Sequence, residues 1–387
     1  MGRTFDVIVL GLGGMGSAAA YQLASRGKRV LGIEQFTAPH DRGSSHGKTR
    51  IVRQAYFENP AYVPLVLRAY ELWRQLERET GRRLLFEVGG LMMGPPNSAV
   101  VAGSIRSARE HGLAHEILDA REIRKRFPAF RPEPNTVALH ENKAGFIRCE
   151  DSVQAHLDRA SHLGAVLHFE ERVVAWEPCG DRVRVRIAKD KYEAGQLVIA
   201  PGPWASEILR DLDLPLVVDR HVLFWLDPVG GVGLFLPGHF PVFIWETESP
   251  GIPYGFPAVD GPNAGVKVGF GRAPGAQKCT PETIDRVVRP EEIESIRRAF
   301  AKRVPSLDGR CLRAVTCMYT NTPDHDFVIS RHPDHPSVLV ACGFSGHGYK
   351  FCSVVGEILA DLVVEGKTRH DISLFDAARL RSARGPR

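Results

Sequence analysis

The apolar run Val7-Ile8-Val9-Leu10 passes directly into Gly11-Leu12-Gly13-Gly14-Met15-Gly16, and an Ala-rich stretch to about Arg26 precedes a second apolar run, Val30-Leu31-Gly32-Ile33. This order reads as strand, turn, helix and strand. Gly11, Gly13 and Gly16 give G-x-G-x-x-G where the strand meets the helix. The first glycine permits the tight turn, the second lets the backbone approach a pyrophosphate, and the third lets helix and strand pack closely. Glu34 closes the second strand 18 residues after Gly16, where a carboxylate can hold ribose hydroxyls. The unit points to an α/β fold that binds a dinucleotide, and these residues alone fit NAD and FAD equally.

A chain of 387 residues has room for two intertwined domains and a large buried cofactor. With 43% hydrophobic and 25% charged residues it has an ordinary globular composition. The net charge of +5 is small, and basic residues are mixed with acidic ones, which argues against nucleic acid as a partner. Seven cysteines without paired spacing, and no secretory leader, suggest reduced thiols in the cytoplasm. Val7 to Ala24 carries no charge, but its cluster of glycines argues against a membrane helix.

Further along, Tyr62 to Arg78 has the pattern of an amphipathic helix, and Asp151 or Ser152 is a candidate cap for a helix towards His162. Strand-like runs follow at Val166 to Phe169, Arg172 to Trp176, Val183 to Ile187 and Leu197 to Ala200. The region from about 216 to 320 is rich in β-type runs, among them Val242 to Trp245 and Gly265 to Phe270. Val338 to Ala341 then leads through a glycine-rich turn into a helix from about Lys350 to Leu362. The expected division is a cofactor domain from residues 1–80, 150–215 and 321–387, and a substrate domain from 81–149 and 216–320. The tail 381–387 is expected to be loose.

Four motifs in order resemble the monomeric sarcosine oxidase family, which includes N-methyltryptophan and pipecolate oxidases. They are Gly43-Ser44-Ser45-His46-Gly47-Lys48-Thr49-Arg50-Ile51-Val52-Arg53, Tyr254-Gly255-Phe256-Pro257, Cys317-Met318-Tyr319-Thr320-Asn321-Thr322-Pro323-Asp324, and Gly343-Phe344-Ser345-Gly346-His347-Gly348-Tyr349-Lys350. The resemblance implies a Rossmann-like FAD-binding domain of discontinuous segments with a mixed-sheet substrate domain. It also implies FAD bonded through Cys317, with Thr49, Val174, Gly346, His347 and Gly348 as further cofactor contacts. Arg53 and Lys350 would grip a substrate carboxylate, the arginine fork being suited to bidentate bonding. His46, Arg50 and Tyr254 would lie beside the flavin, and Lys267 would activate dioxygen.

Alternation in Gly265 to Gly271 places Val266, Val268 and Phe270 on one strand face and Lys267, Gly269 and Gly271 on the other. On sequence alone Lys267 equally suits an edge strand, where lysine discourages pairing. Gly271 departs from the family, many members having histidine there, and its small size would enlarge the site. Trp245 would reshape the pocket or pack in the core. His332 and His335 show no metal-ligand spacing, and no metal is expected.

The expected activity is oxidation of a small secondary amino acid, such as sarcosine or another N-methyl amino acid, by a monomer that uses dioxygen and yields hydrogen peroxide. The alternatives are a cyclic substrate such as L-proline or L-pipecolate, a related dehydrogenase with another electron acceptor, and a catalytically silent flavin-binding protein.

Overall fold

The computed structural model describes residues 4–248, 251–273 and 275–381, so most of the tail expected to be loose lies outside the described residues. The glycine fingerprint folds as the sequence pattern dictates. Strand β1 (Phe5–Leu10) leads into helix α1 (Gly14–Ser25), and β2 (Val30–Ile33) returns parallel to β1. At Gly11 φ is +83°, and an added Cβ would lie 2.4 Å from the carbonyl oxygen of Ala200. At Gly16 a Cβ would lie 1.7 Å from the carbonyl oxygen of Gly11, so α1 can sit this close to β1 only with glycine there. The uncharged stretch Val7 to Ala24 is thus divided between a buried strand and a buried helix. Among the described residues no helix is long and apolar enough to cross a membrane.

Five parallel strands form the centre of the first sheet, in the spatial order Val166–His168, β2, β1, Lys191–Ile199, Val338–Cys342. The hairpin Val173–Cys179/Arg182–Ile187 branches from the first half of Lys191–Ile199, and Val328–Arg331 adds an antiparallel edge. β2, Val338–Cys342 and nearly all of β1 are buried on both faces, as expected where helices cover a parallel sheet. On one face α1 packs against the helices Cys149–His162 and Cys352–Glu365.

The second sheet has eight strands, in the order Cys311–Asn321, Val217–Leu226, Val266–Gly271, Ile252–Gly255, Val242–Trp245, Gly90–Gly94, Val137–Glu141, Glu116–Asp119. Only the pairing of Val242–Trp245 with Gly90–Gly94 is parallel among these neighbours. Its core-facing side chains include Phe224, Phe243, Trp245, Val266 and Val268, with Ile296 and Phe300 from the helix Pro290–Ala301. A small third sheet joins β3 (Thr49–Val52), Gly145–Arg148 and Leu85–Glu87.

Helix α2 (Val63–Thr80) buries a face of Val63, Val66, Ala69, Leu72, Trp73 and Leu76. Trp73 is fully buried, and its indole N–H donates to the Lys350 backbone carbonyl at 2.9 Å. Truncating such a tryptophan costs about 3–5 kcal/mol, and here it would also loosen the turn that carries Lys350. The sequence placed a helix cap at Asp151 or Ser152, but the helix begins at Cys149. The Cys149 N–H is taken by the Lys48 carbonyl at 3.1 Å, and Ser152 Oγ lies inside the helix bonded to the Cys149 carbonyl at 3.0 Å.

Candidate active site

A cavity of about 560 Å³ opens where the carboxyl ends of the central parallel strands meet the second sheet. That is the ordinary position for a ligand in a doubly wound sheet, and the volume is typical of a ligand site. Gly11 and Gly13 line it, whereas Gly16 is withdrawn into the helix–strand contact. Gly13 has no side chain to cap α1, and Ser45 Oγ takes the Gly14 N–H at 3.1 Å; Gly13, Gly14 and Met15 line the cavity, so the positive end of the helix faces it. Glu34 also lines the cavity and accepts from the Leu12 N–H at 2.9 Å and the Phe36 N–H at 3.2 Å. Two acceptor positions on its carboxylate therefore brace the glycine turn, leaving others for hydroxyl groups.

One expected cofactor contact is corrected by one residue. Val174 points to solvent with 58% exposure, whereas Val173 is buried and lines the cavity. Successive strand residues face opposite sides, so the strand was found in the right place with the wrong face turned inward.

Cys317 is only 1% exposed and does not itself line the cavity, although its neighbours Met318 and Tyr319 do. Its Sγ lies 3.6 Å from Arg50 Nη2 and 3.8 Å from the Ser44 carbonyl oxygen. Burial pushes this thiol up, but the charges and hydrogen bonds of His46 and Arg50 outweigh it and bring it down to about 7. His46 is buried behind the lining and acts on the thiol rather than on the cavity. By contrast Cys149, more strongly dominated by burial, is pushed up to about 12. None of the seven cysteines is paired in a disulfide.

Lys267 lies on an interior strand of the second sheet, which removes the edge-strand reading. Its Nζ reaches the cavity wall and donates to the Gly47 and Thr49 carbonyls, each at 2.7 Å, and to Thr49 Oγ1 at 3.2 Å. It also sits 4.6 Å from the Phe256 ring centre. Burial, followed by the charge of Arg50, brings the ammonium down to about 7. Arg50 and Thr49 line the cavity beside it, as does Tyr254. Trp245 is in the core against Phe130, while its strand neighbour Ile244 faces the cavity.

Arg53 and Lys350 both line the cavity and are both buried. Arg53 is already engaged: Nη2 meets both oxygens of Glu58 at 2.8 and 2.5 Å, and Nη1 donates to the Ala55 carbonyl at 3.1 Å. Tyr56 and Phe57 sandwich its guanidinium at 4.2 and 4.3 Å. Lys350 Nζ donates to the His347 carbonyl at 2.6 Å and to Tyr56 Oη at 3.5 Å, so one of its three N–H groups is left over. Burial and the Arg53 charge bring it down to about 7. His347 takes the Tyr56 hydroxyl on Nδ1 at 2.6 Å and presents Nε2 to the His325 carbonyl at 2.9 Å, which fixes the neutral tautomer. Its chain neighbours Gly346 and Gly348 complete that wall.

The sequence model of the FAD dependent oxidoreductase (DAO) family matches residues 6–362. A monomeric sarcosine oxidase of Streptomyces avermitilis is 55% identical over 384 residues, covering 99% of this chain and 100% of that protein. The chain belongs to the monomeric sarcosine oxidase family of FAD dependent oxidoreductases. An N-methyl-L-tryptophan oxidase of Yersinia pestis is 36% identical over 382 residues, covering 97% of this chain and 100% of its own. The structure of NikD, described as an unusual amino acid oxidase essential for nikkomycin biosynthesis, superposes with a TM-score of 0.83 at 25% identity, covering 97% of this chain and 98% of that one.

The residues of this family member fit FAD. A glycine-rich helix start facing the cavity suits a pyrophosphate, Glu34 suits a ribose, and two buried cations and a lowered thiol lie at or just behind the wall beyond. The contributors that sequence reasoning missed are Glu58, which pairs with Arg53, and Tyr56 and Glu150, whose partners His347 and the Gly47 and Lys48 N–H groups lie far along the chain. Glu58 alone left a readable signal, an acid five residues after Arg53. Asp211, His332 and His335 bring potential ligand atoms within 4.8 Å of one another, a proximity invisible in sequence spacing. His332 Nδ1 accepts from the Asp334 N–H at 3.2 Å, so its proton is on Nε2 and is donated to Asp211 at 2.7 Å. This leaves a hydrogen-bonded cluster in which His332 has no lone pair to offer an ion.

Proposed function

We propose that this enzyme oxidises the carbon–nitrogen bond of a small secondary amino acid, sarcosine or another N-methyl amino acid. The imine hydrolyses to aldehyde and amine, and dioxygen is converted to hydrogen peroxide. Bound FAD supplies the electron-accepting chemistry. The observation that carries the reading is the pairing of Lys350, with an unused N–H, and Arg53 at one cavity wall, with Lys267 at another. The first pair suits the carboxylate of an α-amino acid rather than a plain amine. Tyr254, Phe57 and Ile244 close the cavity with largely apolar surface, which excludes water and strengthens those charges.

In this reading Lys267 is the cation that assists dioxygen, and Cys317 is the covalent attachment point of FAD. A thiol brought down to about 7 is substantially ionised at neutral pH and is a competent nucleophile. We further assign the protein as a cytoplasmic monomer, in keeping with its free cysteines. A second reading, a cyclic substrate such as L-proline or L-pipecolate, is favoured by one observation. At Gly271, which lines the cavity, an added Cβ would meet nothing nearer than 3.7 Å, so there is room for a bulkier substrate.

The deciding experiment is anaerobic bleaching of the bound flavin by sarcosine, larger N-methyl amino acids, L-proline, L-pipecolate and primary amino acids, followed by admission of air. Bleaching by an N-methyl amino acid with rapid recovery in air is expected. Bleaching by none of them removes the proposal, and bleaching without recovery in air removes dioxygen as the acceptor.

A further inference from the structure

The loop Gly47-Lys48-Thr49 turns through two consecutive positive φ values, +90° at Gly47 and +72° at Lys48. A lysine in that region carries a strain of about 1–2 kcal/mol, so neighbouring structure has to hold it. Glu150 does so. In the first turn of the helix Cys149–His162, its carboxylate accepts from the Gly47 N–H at 2.8 Å and from the Lys48 N–H at 3.1 and 3.0 Å. The Cys149 thiol adds a further bond to the same carboxylate at 3.1 Å, and the Cys149 N–H clasps the Lys48 carbonyl. The Lys48 N–H and the Gly47 carbonyl belong to one peptide group, so with the N–H directed at the carboxylate the Gly47 carbonyl points the other way, onto Lys267 Nζ, where the Thr49 carbonyl joins it. The 47–48 peptide group is thus a polar relay from a carboxylate to an ammonium, two groups with no direct bond between them.

We propose that Glu150 is a positioning residue for Lys267: by gripping the Gly47 and Lys48 N–H groups it turns the Gly47 carbonyl onto the ammonium, holds the strained loop that also presents the Thr49 carbonyl, and so fixes Lys267 as a cation at the cavity wall. The proposal rests on the role given to Lys267 above, but its test does not. The charged and titratable groups around Lys267 are Arg50 on β3, Cys149 and Glu150 on the helix, and Cys317 on the long strand Cys311–Asn321, one strand beyond its neighbour Val217–Leu226, with the Phe256 and Trp225 rings beside it. Arg50 opposes the charged form, whereas Glu150 favours it both through its own charge and through the loop it orders.

The test is titration of Lys267 in the holoenzyme labelled with 13C at lysine Cε, its resonance being the one lost in Lys267→Met. Wild type is expected to titrate near pH 7. In Glu150→Gln the midpoint is expected to fall by about half a unit or more, roughly a threefold shift from ammonium towards amine. An unchanged midpoint in a folded Glu150→Gln protein overturns the proposal, even if the variant reacts more slowly with oxygen. If Glu150→Gln does not accumulate folded, the titration is made on Glu150→Gln/Lys48→Gly, in which glycine relieves the strained backbone without restoring the charge; the same two outcomes decide. Should Lys267 prove irrelevant to oxygen, Lys267→Met would reveal that separately by reoxidising normally in air.

Discussion

Replacing Lys350 by methionine is expected to stabilise the protein in mildly acidic solution and to destabilise it modestly in alkaline solution. The Lys350 ammonium is brought down from 10.5 to about 7, chiefly by burial and then by Arg53, against the pull of Glu58. Below pH 7 folded and unfolded chains both carry this proton, and the full cost of burying the charge is present. Between pH 7 and 10.5 the unfolded chain binds more protons than the folded one, so stability rises with pH; above 10.5 the cost has gone. At ~1.36 kcal/mol per unit, the drop amounts to about 5 kcal/mol. Methionine keeps the side chain's length but forfeits bonds to the His347 carbonyl and the Tyr56 hydroxyl, about 1 kcal/mol each. Lys350→Met should therefore be more stable than wild type by about 3 kcal/mol at pH 6, the difference should reach zero at about pH 9, and above about pH 10.5 wild type should be the more stable by about 2 kcal/mol. Urea unfolding of both proteins, followed by circular dichroism across that range, measures the difference, since the other titrating groups are common to the pair. Parallel stability–pH curves for the two proteins would refute the assignment of a buried, strongly perturbed ammonium at this position.

Three further outcomes are expected. Cys317→Ser should release its flavin on acid precipitation while wild type retains it, and free flavin from both proteins would end the covalent assignment. Lys267→Met should slow reoxidation by air far more than reduction by substrate in stopped-flow traces; equal slowing would assign the lysine to general architecture. Gly271→Leu should leave the melting temperature within a few degrees of wild type, because φ there is not positive and Cβ has space. Loss of turnover should be greatest for the bulkiest accepted amino acid, and uniform loss across substrates would place this position away from the substrate.

The nucleotide half was legible because its signals are local. Gly11, Gly13, Gly16 and Glu34 are read by spacing, and each sits where the fingerprint needs it. Orientation about a strand was harder. The alternation around Lys267 was correct, yet only the strand order shows that this strand is interior. At Val174 a one-residue error reversed the face, and Trp245 went to the core because Ile244 took the cavity side. The acids that discipline the site were not legible. Glu150 acts on backbone N–H groups 102 and 103 positions away, and a backbone group has no letter in the sequence.

The central parallel sheet also sets a timetable for folding. Helix α1 is buried on nearly every side, but part of its cover is the helix Cys352–Glu365, and the strand Val338–Cys342 completes the sheet beneath it. A ribosome that has finished β2 must add about 300 more residues before those pieces exist, roughly 15–60 s at 5–20 residues per second. During that interval an apolar hairpin of strand and helix waits without its partners. Synthesis rate and chaperone supply should therefore govern the yield of this protein more than its final stability does, and silent codon changes between residues 34 and 338 are a direct handle on it.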